Sequence, residues 1–252
     1  MKRESAELKR IARENLTGRY SVPMGTLVVG TLSCNIPLLL FGWVTDNSAA
    51  GMAIYYLASF ILSLLSGVLA IGRMWIGMQM ARGRQYQFSD MFCAFRDRAD
   101  RYILAVLLRT LIVLIPQVPI YMLQFMGYRA FSYVQLILML VYVLVGSIVA
   151  IVLNLVFAQV YMLLLDQPDM TTVDAFRKSA ELMKGNKGRL FYIDLSFLGW
   201  ELLAACSFGI GMLWVGPYMV QTQITFYREL TGQLDGQESA GYDYNASVQL
   251  FL

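Results

Sequence analysis

The sequence contains no histidine, and this absence excludes more chemistry than any other feature of its composition. Histidine is the commonest general base of enzymes, a member of serine-histidine triads and a ligand in most zinc sites. Cysteine is also sparse: Cys34, Cys93 and Cys206 lie far apart, with no CxxC spacing. We therefore expect no disulfide framework, no metal site, no cofactor and no catalytic residue, and we predict that the protein is not an enzyme.

Charged residues are scarce as well, at 15% of the 252 residues, whereas they make up about 25% of a soluble domain. Hydrophobic residues account for 58%, and the mean hydropathy is +0.55. Apolar runs of about 20 residues recur, which is the length that crosses a hydrocarbon core of about 30 Å. The sequence therefore predicts an all-α integral membrane protein.

Six apolar runs define the predicted architecture. They lie near residues 24–43, 53–80, 102–125, 133–165, 190–206 and 208–227. The second and fourth runs exceed one bilayer thickness, so we expect these helices to tilt or to protrude. The last two are short, close to the lower limit of about 17 residues for a span. We predict a polytopic membrane domain at 21–230 with about six transmembrane helices, a cytoplasmic amphipathic helix at 1–20 and a flexible cytoplasmic tail at 231–252.

The basic residues are distributed unequally between the two sides of these spans. Apart from Arg129, the lysines and arginines lie before the first span, in or near the loops around 84–98 and 177–187, or after the last span. The positive-inside rule then places both termini and both long loops in the cytoplasm. Residues 1–20 are too polar for a signal peptide, which would continue into an apolar core. We therefore predict an uncleaved multi-pass membrane protein.

The N-terminal segment has the pattern of an amphipathic helix. Leu8, Ile11, Ala12 and Leu16 fall on one helical face, and charged residues fill the rest of the segment. Such a helix either lies in the headgroup plane, with its basic residues towards anionic lipid, or packs on cytoplasmic loops of the protein.

Two short motifs recur in the predicted cytoplasmic segments. Ser-Ala-Glu-Leu occurs at 5–8 and again at 179–182, and Ala-Phe-Arg occurs at 94–96 and at 175–177. Each occurrence belongs to an amphipathic segment that leads into a pair of apolar runs. We interpret the chain as three repeated units, each made of one helix and one hairpin of spans.

Four charged residues within or near the spans are the candidate functional positions, because a charge at the bilayer centre costs about 2.5–3.5 kcal/mol. They are Arg73, Arg109, Asp194 and Glu201. Both arginines are close enough to the cytoplasmic side to extend towards the headgroups. The two carboxylates are seven residues apart and share one helix face. They either pair with Arg73 or Arg109, or line a polar cavity.

A second candidate site is the basic turn before the fifth apolar run. Lys184, Lys187 and Arg189 lie in a glycine-containing stretch near a predicted helix start, where the positive end of the helix dipole favours a lipid phosphate. The alternative interpretation is a basic loop that only sets the topology of the chain.

Several motifs resemble those of one known family. They are the opening helix at 8–18, the segment at 179–187, Leu-Ser-Phe-Leu-Gly-Trp at 195–200, Gly-Ile-Gly-Met-Leu-Trp at 209–214, Pro-Tyr at 217–218 and Phe-Tyr at 226–227. Together they resemble a bacterial integral-membrane family catalogued as domain of unknown function 975, over the whole chain except the tail. The resemblance implies a bacterial plasma-membrane protein with roughly six spans. It implies no activity, since that family has no established biochemical function.

Two functions remain open. The first is a non-enzymatic component of the bacterial plasma membrane that organises anionic lipids on the cytoplasmic leaflet or a membrane-protein partner, with no nucleic acid partner. The alternative is a transporter or permease with a polar cavity near Glu201. An intramembrane enzyme would have to use Asp194 and Glu201, which lie about 10 Å apart along a helix axis. That distance is at the far edge of the range of about 6.5–9.5 Å for acid–base pairs that act through a water.

Overall fold

The computed structural model describes residues 2–46, 48–96, 98–114, 116 and 133–234, and every regular element in these ranges is helical. The α-helices are α1 (Ser5–Leu16), α2 (Ser21–Val44), α3 (Ala49–Ala81), α4 (Cys93–Arg96), α5 (Ala99–Leu114), α6 (Tyr133–Val156), α7 (Val160–Asp166), α8 (Thr172–Leu182), α9 (Lys187–Leu195), α10 (Leu198–Cys206) and α11 (Met212–Leu230). A 3-10 helix, Phe88–Phe92, directly precedes α4. The predicted all-α class is confirmed for the described residues.

Local sequence explains several of the helix boundaries. The Ser48 hydroxyl oxygen accepts a hydrogen bond from the Gly51 amide at 3.0 Å and caps the start of α3. Thr171 caps α8 in the same way, through the Asp174 amide at 3.2 Å. Gly18, just after α1, has a φ of +73°, a left-handed conformation that favours glycine. These residues satisfy or terminate the backbone hydrogen bonds that the helix ends leave open.

Helix α3 is the centre of the fold, because it packs on α2, α5, α11 and the 3-10 helix. Two of its glycines allow this close approach. A Cβ atom built on Gly67 would lie 2.5 Å from Val106 Cγ1 of α5. A Cβ atom built on Gly72 would collide with the backbone carbonyl of Met91 in the 3-10 helix. Because glycine has no side chain, Gly67 and Gly72 allow α5 and the 3-10 helix to lie this close to α3.

Burial changes abruptly along the long helices. In α3, none of residues 52–67 is buried, whereas most of residues 68–81 are. The same change separates Ile137–Val156 of α6, which is mostly exposed, from Val160–Leu165 of α7, which is fully buried. We call the exposed part the apolar zone: residues 35–44 of α2, 52–67 of α3 and Ile137–Val156 of α6. At about 1.5 Å per residue, the parts from α3 and α6 are about 24 and 30 Å long, close to a hydrocarbon core.

Among the described residues, three candidate spans have the length and apolar composition of membrane-crossing helices: Ser21–Val44, Ala50–Ala81 and Ile137–Asp166. They correspond to the first, second and fourth predicted runs. Their outer surfaces carry large exposed apolar side chains such as Trp43, which is 90% exposed. Contiguous apolar surface of this extent marks a membrane or protein contact in most proteins. The described helices are therefore compatible with a membrane protein.

The remaining spans and the three-unit repeat stay predictions. The third run, 102–125, lies in part outside the described residues. The fifth run, 190–206, is divided between α9 and α10 by a turn after Leu195. The sixth run largely coincides with α11, whose last turn is charged. Neither α9 nor α10 alone is long enough to cross a bilayer, so a fifth span would need both helices together.

The buried side chains form two main clusters. One lies between α3, α5, α7 and α11, and includes Ile71, Met78 and Tyr227. The other joins α1, α9, α10 and α11, and it includes Leu234, which is 6% exposed. The packed part of the chain therefore continues into the first residues of the predicted tail, and 235–252 lie outside the described residues.

Candidate functional site

The ends of α3, α7 and α11 meet at a polar cluster around Asp166. The guanidinium of Arg82, which follows α3, forms an ion pair with the Asp166 carboxylate. The Tyr227 hydroxyl donates to Asp166 Oδ2 at 2.9 Å, and the side-chain amide of Gln233 donates to the same oxygen at 2.7 Å. One carboxylate therefore joins three segments that are far apart in the sequence.

Two further arginines donate to backbone carbonyls near helix C-termini. Arg228 Nη1 donates to the Ala81 carbonyl at the end of α3, at 2.7 Å. Arg101 Nη2 donates to the Leu164 carbonyl in the last turn of α7, at 2.8 Å. These carbonyls have no partner within their helix and carry the negative end of the helix dipole, so a cation stabilises them. The ends of α3, α7 and α11, together with α1 and the loops between them, are called the basic end below.

Helix α1 is part of the basic end, because its apolar face is covered by protein. Leu8, Ala12 and Leu16 are fully buried, and α1 packs mainly against α11. Arg10 and Glu14, on the opposite face, are exposed and form an ion pair at 2.7 Å. The second of the two sequence-based interpretations of this helix, packing on the protein, therefore accounts for its apolar face.

The N-terminal segment contacts an ion pair between Arg189 of α9 and Glu229 of α11. Arg189 Nη2 donates to both carboxylate oxygens of Glu229, at 2.9 and 2.8 Å. The same nitrogen donates to the Arg3 carbonyl at 2.7 Å, and the Arg3 amide donates to Glu229 Oε1 at 2.5 Å. Arg189 therefore holds the N-terminal segment against the bundle.

Lys9 faces the protein instead of the surrounding solvent. Its ammonium group lies 4.1 Å from the ring centroid of Phe197 and donates to the Ser196 carbonyl at 3.4 Å. Partial burial lowers the pKa of Lys9, since desolvation disfavours the charged form. Arg13, one turn further along α1, lies over the ring of Tyr218 at 5.8 Å. Cation–π contacts thus add to the apolar packing of α1.

Of the two candidate arginines, Arg73 has fewer polar partners. It lies in α3 beside Gly30 of α2, where a Cβ atom would come within 3.3 Å of Arg73 Nη1 and within 3.2 Å of Met91 Cε. Across the described ranges, no acidic group forms an ion pair with Arg73 and no side chain or carbonyl accepts a hydrogen bond from it. The guanidinium is half-buried in a notch that Gly30 leaves open.

Arg109 has partners on two neighbouring helices. Its Nη2 donates to Asn154 Oδ1 of α6 at 3.4 Å, and its guanidinium lies 4.9 Å from the ring centroid of Tyr161 of α7. These contacts connect α5, α6 and α7 near the change in burial. Arg109 is therefore integrated into helix packing, and a functional role for it stays a prediction.

Asp194 and Glu201 do not reach the basic candidates. Asp194 Oδ1 accepts a hydrogen bond from Gln223 Nε2 of α11 at 3.5 Å. Neither carboxylate forms an ion pair with any residue in the described part of the chain, so the pairing with Arg73 or Arg109 is not formed. Arg109 is directed towards α6 and α7 instead. Glu201 is half-exposed on α10, next to exposed apolar side chains.

The three candidates for lipid contact differ in their surroundings. Arg189 is held by Glu229, as described above, whereas Lys184 is exposed and Lys187 half-exposed. Neither lysine forms an ion pair within the described residues. The same holds for other exposed basic residues at this end of the bundle: Lys2, Arg19, Arg84, Arg96 and Arg177. Basic residues that have no acidic partner in the described part of the chain therefore lie around the basic end.

One open cavity of about 560 Å³ lies at the basic end. Its lining is about equally polar and apolar and consists of Gln85, Tyr86, Gln87, Ser89, Asp90 and Arg96. Among the described residues, no group of three or more histidine, cysteine or acidic side chains is placed to hold a metal ion.

Sequence reasoning missed the residues that organise this end. Asp166 and Glu229 are the acidic centres of the two ion-pair clusters, and Tyr227 connects one of them to α11. The available signal was an acidic residue placed directly at the end of an apolar run, which holds for Asp166. Nothing in the local sequence of Glu229 indicates Arg189 as its partner.

Comparison with known proteins gives one match. The model of the family described as "Protein of unknown function (DUF975)" matches residues 1–233. No curated protein and no solved structure matches the chain.

Proposed function

The chain belongs to the DUF975 family, and on this basis we propose that it is a non-enzymatic membrane protein that organises anionic lipids at one leaflet. In this proposal the apolar zone and the remaining predicted spans cross a bacterial plasma membrane. The basic end, with both termini, lies on the cytoplasmic side. Organisation of a membrane-protein partner is the version of this function in which a second protein occupies the same surface.

The observation that carries the proposal is the set of unpaired cations at the basic end. Lys2, Arg19, Arg84, Arg177 and Lys184 are exposed, and none has an acidic partner in the described ranges. Each basic residue near an anionic membrane surface contributes about 1 kcal/mol of attraction, within a Debye length of about 8 Å. Several such residues beside an apolar zone provide the charged and apolar contacts that lipid recognition requires.

The alternative of a transporter depends on Glu201, and the described contacts give it less support. A transport site needs charged groups that converge on a cavity. Glu201 has no basic partner in the described residues. The neutral variant Glu201→Gln tests this alternative, because transport through this carboxylate would be lost while stability would not.

The experiment that tests lipid organisation measures which lipids surround the protein. The full chain is reconstituted in vesicles with equal amounts of phosphatidylglycerol and phosphatidylcholine, extracted in polymer-bounded nanodiscs, and the lipids of protein-containing discs are quantified against empty discs. We expect phosphatidylglycerol to be enriched about twofold or more, and the enrichment to fall at high salt.

A matched pair of variants identifies the source of the enrichment. Lys184→Gln removes an unpaired exposed charge, whereas Lys178→Gln removes a lysine whose ammonium lies 3.9 Å from Glu181. We expect the first variant to reduce the enrichment more than the second. Equal lipid composition in protein-containing and empty discs would refute the proposal.

A further inference from the structure

The segment between α3 and α5 carries three partly exposed phenylalanine rings. It consists of the 3-10 helix Phe88–Phe92 and of α4, and we call it the aromatic segment (residues 88–96). Phe88, Phe92 and Phe95 are 40%, 41% and 41% exposed, whereas Met91 and Ala94 are fully buried. The ring centroids of Phe92 and Phe95 are 6.5 Å apart. The segment therefore has an inner face that packs and an outer face of aromatic rings.

The inner face is seated in a groove between α2 and α3. The Met91 carbonyl occupies the space that a side chain at Gly72 would fill, and the Met91 methyl group lies against Gly30 of α2. The Phe88 ring lies beside Gly25 of α2, where a Cβ atom would meet it at 3.4 Å, an ordinary van der Waals distance. Gly72 and Gly30 therefore leave the space that Met91 occupies.

The position of this groove along α3 places the rings at the edge of the apolar zone. Gly72 follows the end of the apolar zone of α3, residue 67, by about 7.5 Å at about 1.5 Å per residue. A hydrocarbon core of about 30 Å that begins at residue 52 ends near residue 72. The aromatic segment therefore lies at the depth where acyl chains meet headgroups, and aromatic side chains favour this depth in membrane proteins.

Three arginines that lack an acidic partner among the described residues lie in or near the aromatic segment. Arg96 is its last residue and Arg84 precedes it by four positions, and both are exposed; the half-buried Arg73 lies next to Met91. None of the three forms an ion pair with a described residue. The one acidic side chain within the segment, Asp90, accepts a hydrogen bond from the Gln87 amide at 2.8 Å. The aromatic segment and the arginines next to it therefore carry more positive than negative charge.

We infer that the aromatic segment is an interfacial lipid-binding site. Phe92 and Phe95 enter the boundary between acyl chains and headgroups, and Arg73, Arg84 and Arg96 donate hydrogen bonds to the phosphates of anionic phospholipids around the segment. This inference rests on the proposed function and assigns a second site to it, separate from Lys184 and Lys187. Exposed rings beside cations favour contact with lipid over contact with water. Transfer of the rings from water into the membrane is favourable through the hydrophobic effect, and the lipid phosphate neutralises the charge of the arginines.

The test uses a fluorescent probe at single positions of the full chain in vesicles. In a chain whose three native cysteines are replaced by alanine, Phe92→Cys carries a bimane group. Leu40→Cys in the apolar zone and Lys178→Cys on α8 serve as the lipid-exposed and water-exposed references. Quenching is measured with phospholipids that carry a nitroxide on the acyl chain and, separately, with aqueous iodide.

We expect the probe at position 92 to be quenched by nitroxide lipid at least half as strongly as the probe at position 40, and by iodide much less than the probe at position 178. A probe at position 92 that behaves as the one at position 178 would show that the segment faces water. A probe protected from both quenchers would show that a second copy or another protein covers it. Either result overturns the inference.

The charge part of the inference is tested with nitroxide on phosphatidylglycerol or on phosphatidylcholine. We expect the probe at position 92 to report a preference for phosphatidylglycerol that falls about fivefold for each of Arg84→Gln and Arg96→Gln. Arg10→Gln, which removes an arginine paired with Glu14, is the control and should leave the preference unchanged.

The two proposals can fail separately. A wild-type chain with no enrichment of anionic lipid in nanodiscs would refute the proposed function and this inference together. An enrichment that responds to Lys184→Gln but not to Arg84→Gln or Arg96→Gln would leave the proposed function intact and refute the site at the aromatic segment.

Discussion

The Tyr227 hydroxyl of α11 lies 2.9 Å from Asp166 Oδ2 at the end of α7, and the same carboxylate forms an ion pair with Arg82. The side chains of Arg82 and Asp166 are only 18% and 15% exposed. Their interaction is therefore weakly screened by solvent, and removal of one partner leaves the other charge without compensation.

We predict that Asp166→Asn lowers the free energy of unfolding by about 2–4 kcal/mol. Tyr227→Phe, which removes a single hydrogen bond to the carboxylate, should cost about 1–2 kcal/mol. Thermal and denaturant unfolding of the detergent-solubilised chain measure both values. An Asp166→Asn protein as stable as the wild type would contradict the assignment of Asp166 as the residue that joins α3, α7 and α11.

The ion pair of Arg189 with Glu229 gives a second prediction. Glu229→Gln should destabilise the protein by about 1.5–3 kcal/mol, because the Glu229 side chain is only 8% exposed and loses charge-assisted hydrogen bonds. It should also increase protease cleavage within residues 2–16, since Glu229 accepts from the Arg3 amide. Glu181→Gln is the control: its exposed pair with Lys178 should contribute less than about 1 kcal/mol.

The packing of the aromatic segment against α3 gives a third prediction. Gly72→Ala should destabilise the protein by about 1–3 kcal/mol or more, because the new methyl group meets the rigid backbone of Met91. Gly199→Ala lies in a helix with no atom within 4 Å of the new Cβ, and it should stabilise α10 by about 0.5–1 kcal/mol. Melting temperatures that shift in the same direction for both variants would contradict the described packing of α3.

The arrangement of the spans gives a fourth prediction. In a cysteine-free chain, Phe208→Cys lies in the turn between α10 and α11, where Phe208 is 99% exposed. A membrane-impermeant maleimide added to intact cells should label this cysteine and should label Arg84→Cys only after permeabilisation. Labelling of Arg84→Cys in intact cells would reverse the predicted orientation.

Sequence patterns predicted the elements that depend on neighbouring residues. The spacing of Leu8, Ala12 and Leu16 indicated a helix with one apolar face, and these three side chains are buried. The excess length of the second run indicated that α3 extends beyond one bilayer thickness, and its burial indeed changes at Val68. Periodicity and length can predict such features because helix geometry relates residues three or four positions apart.

The sequence did not predict which charged residues of distant segments contact each other. Sequence reasoning offered Arg73 or Arg109 as partners of Asp194 and Glu201, but Arg109 contacts Asn154 and Tyr161 instead. The direction of a charged side chain depends on how its helix is rotated against its neighbours. On α3, that rotation depends on which glycines admit a neighbouring backbone or side chain.

The sequence by itself determined the helical class, the apolar runs and the concentration of basic residues in a few segments. These features depend on composition and on the spacing of neighbouring residues, so they can be recognised without knowledge of the contacts between distant segments. Only the tertiary structure decided that Asp166 and Glu229 neutralise Arg82 and Arg189, and that Arg73, Arg84 and Arg96 lie in or near the aromatic segment without a described acidic partner. Helix packing made that selection, because it brings together side chains that are far apart in the sequence, and an ion pair with little exposure is weakly screened by solvent.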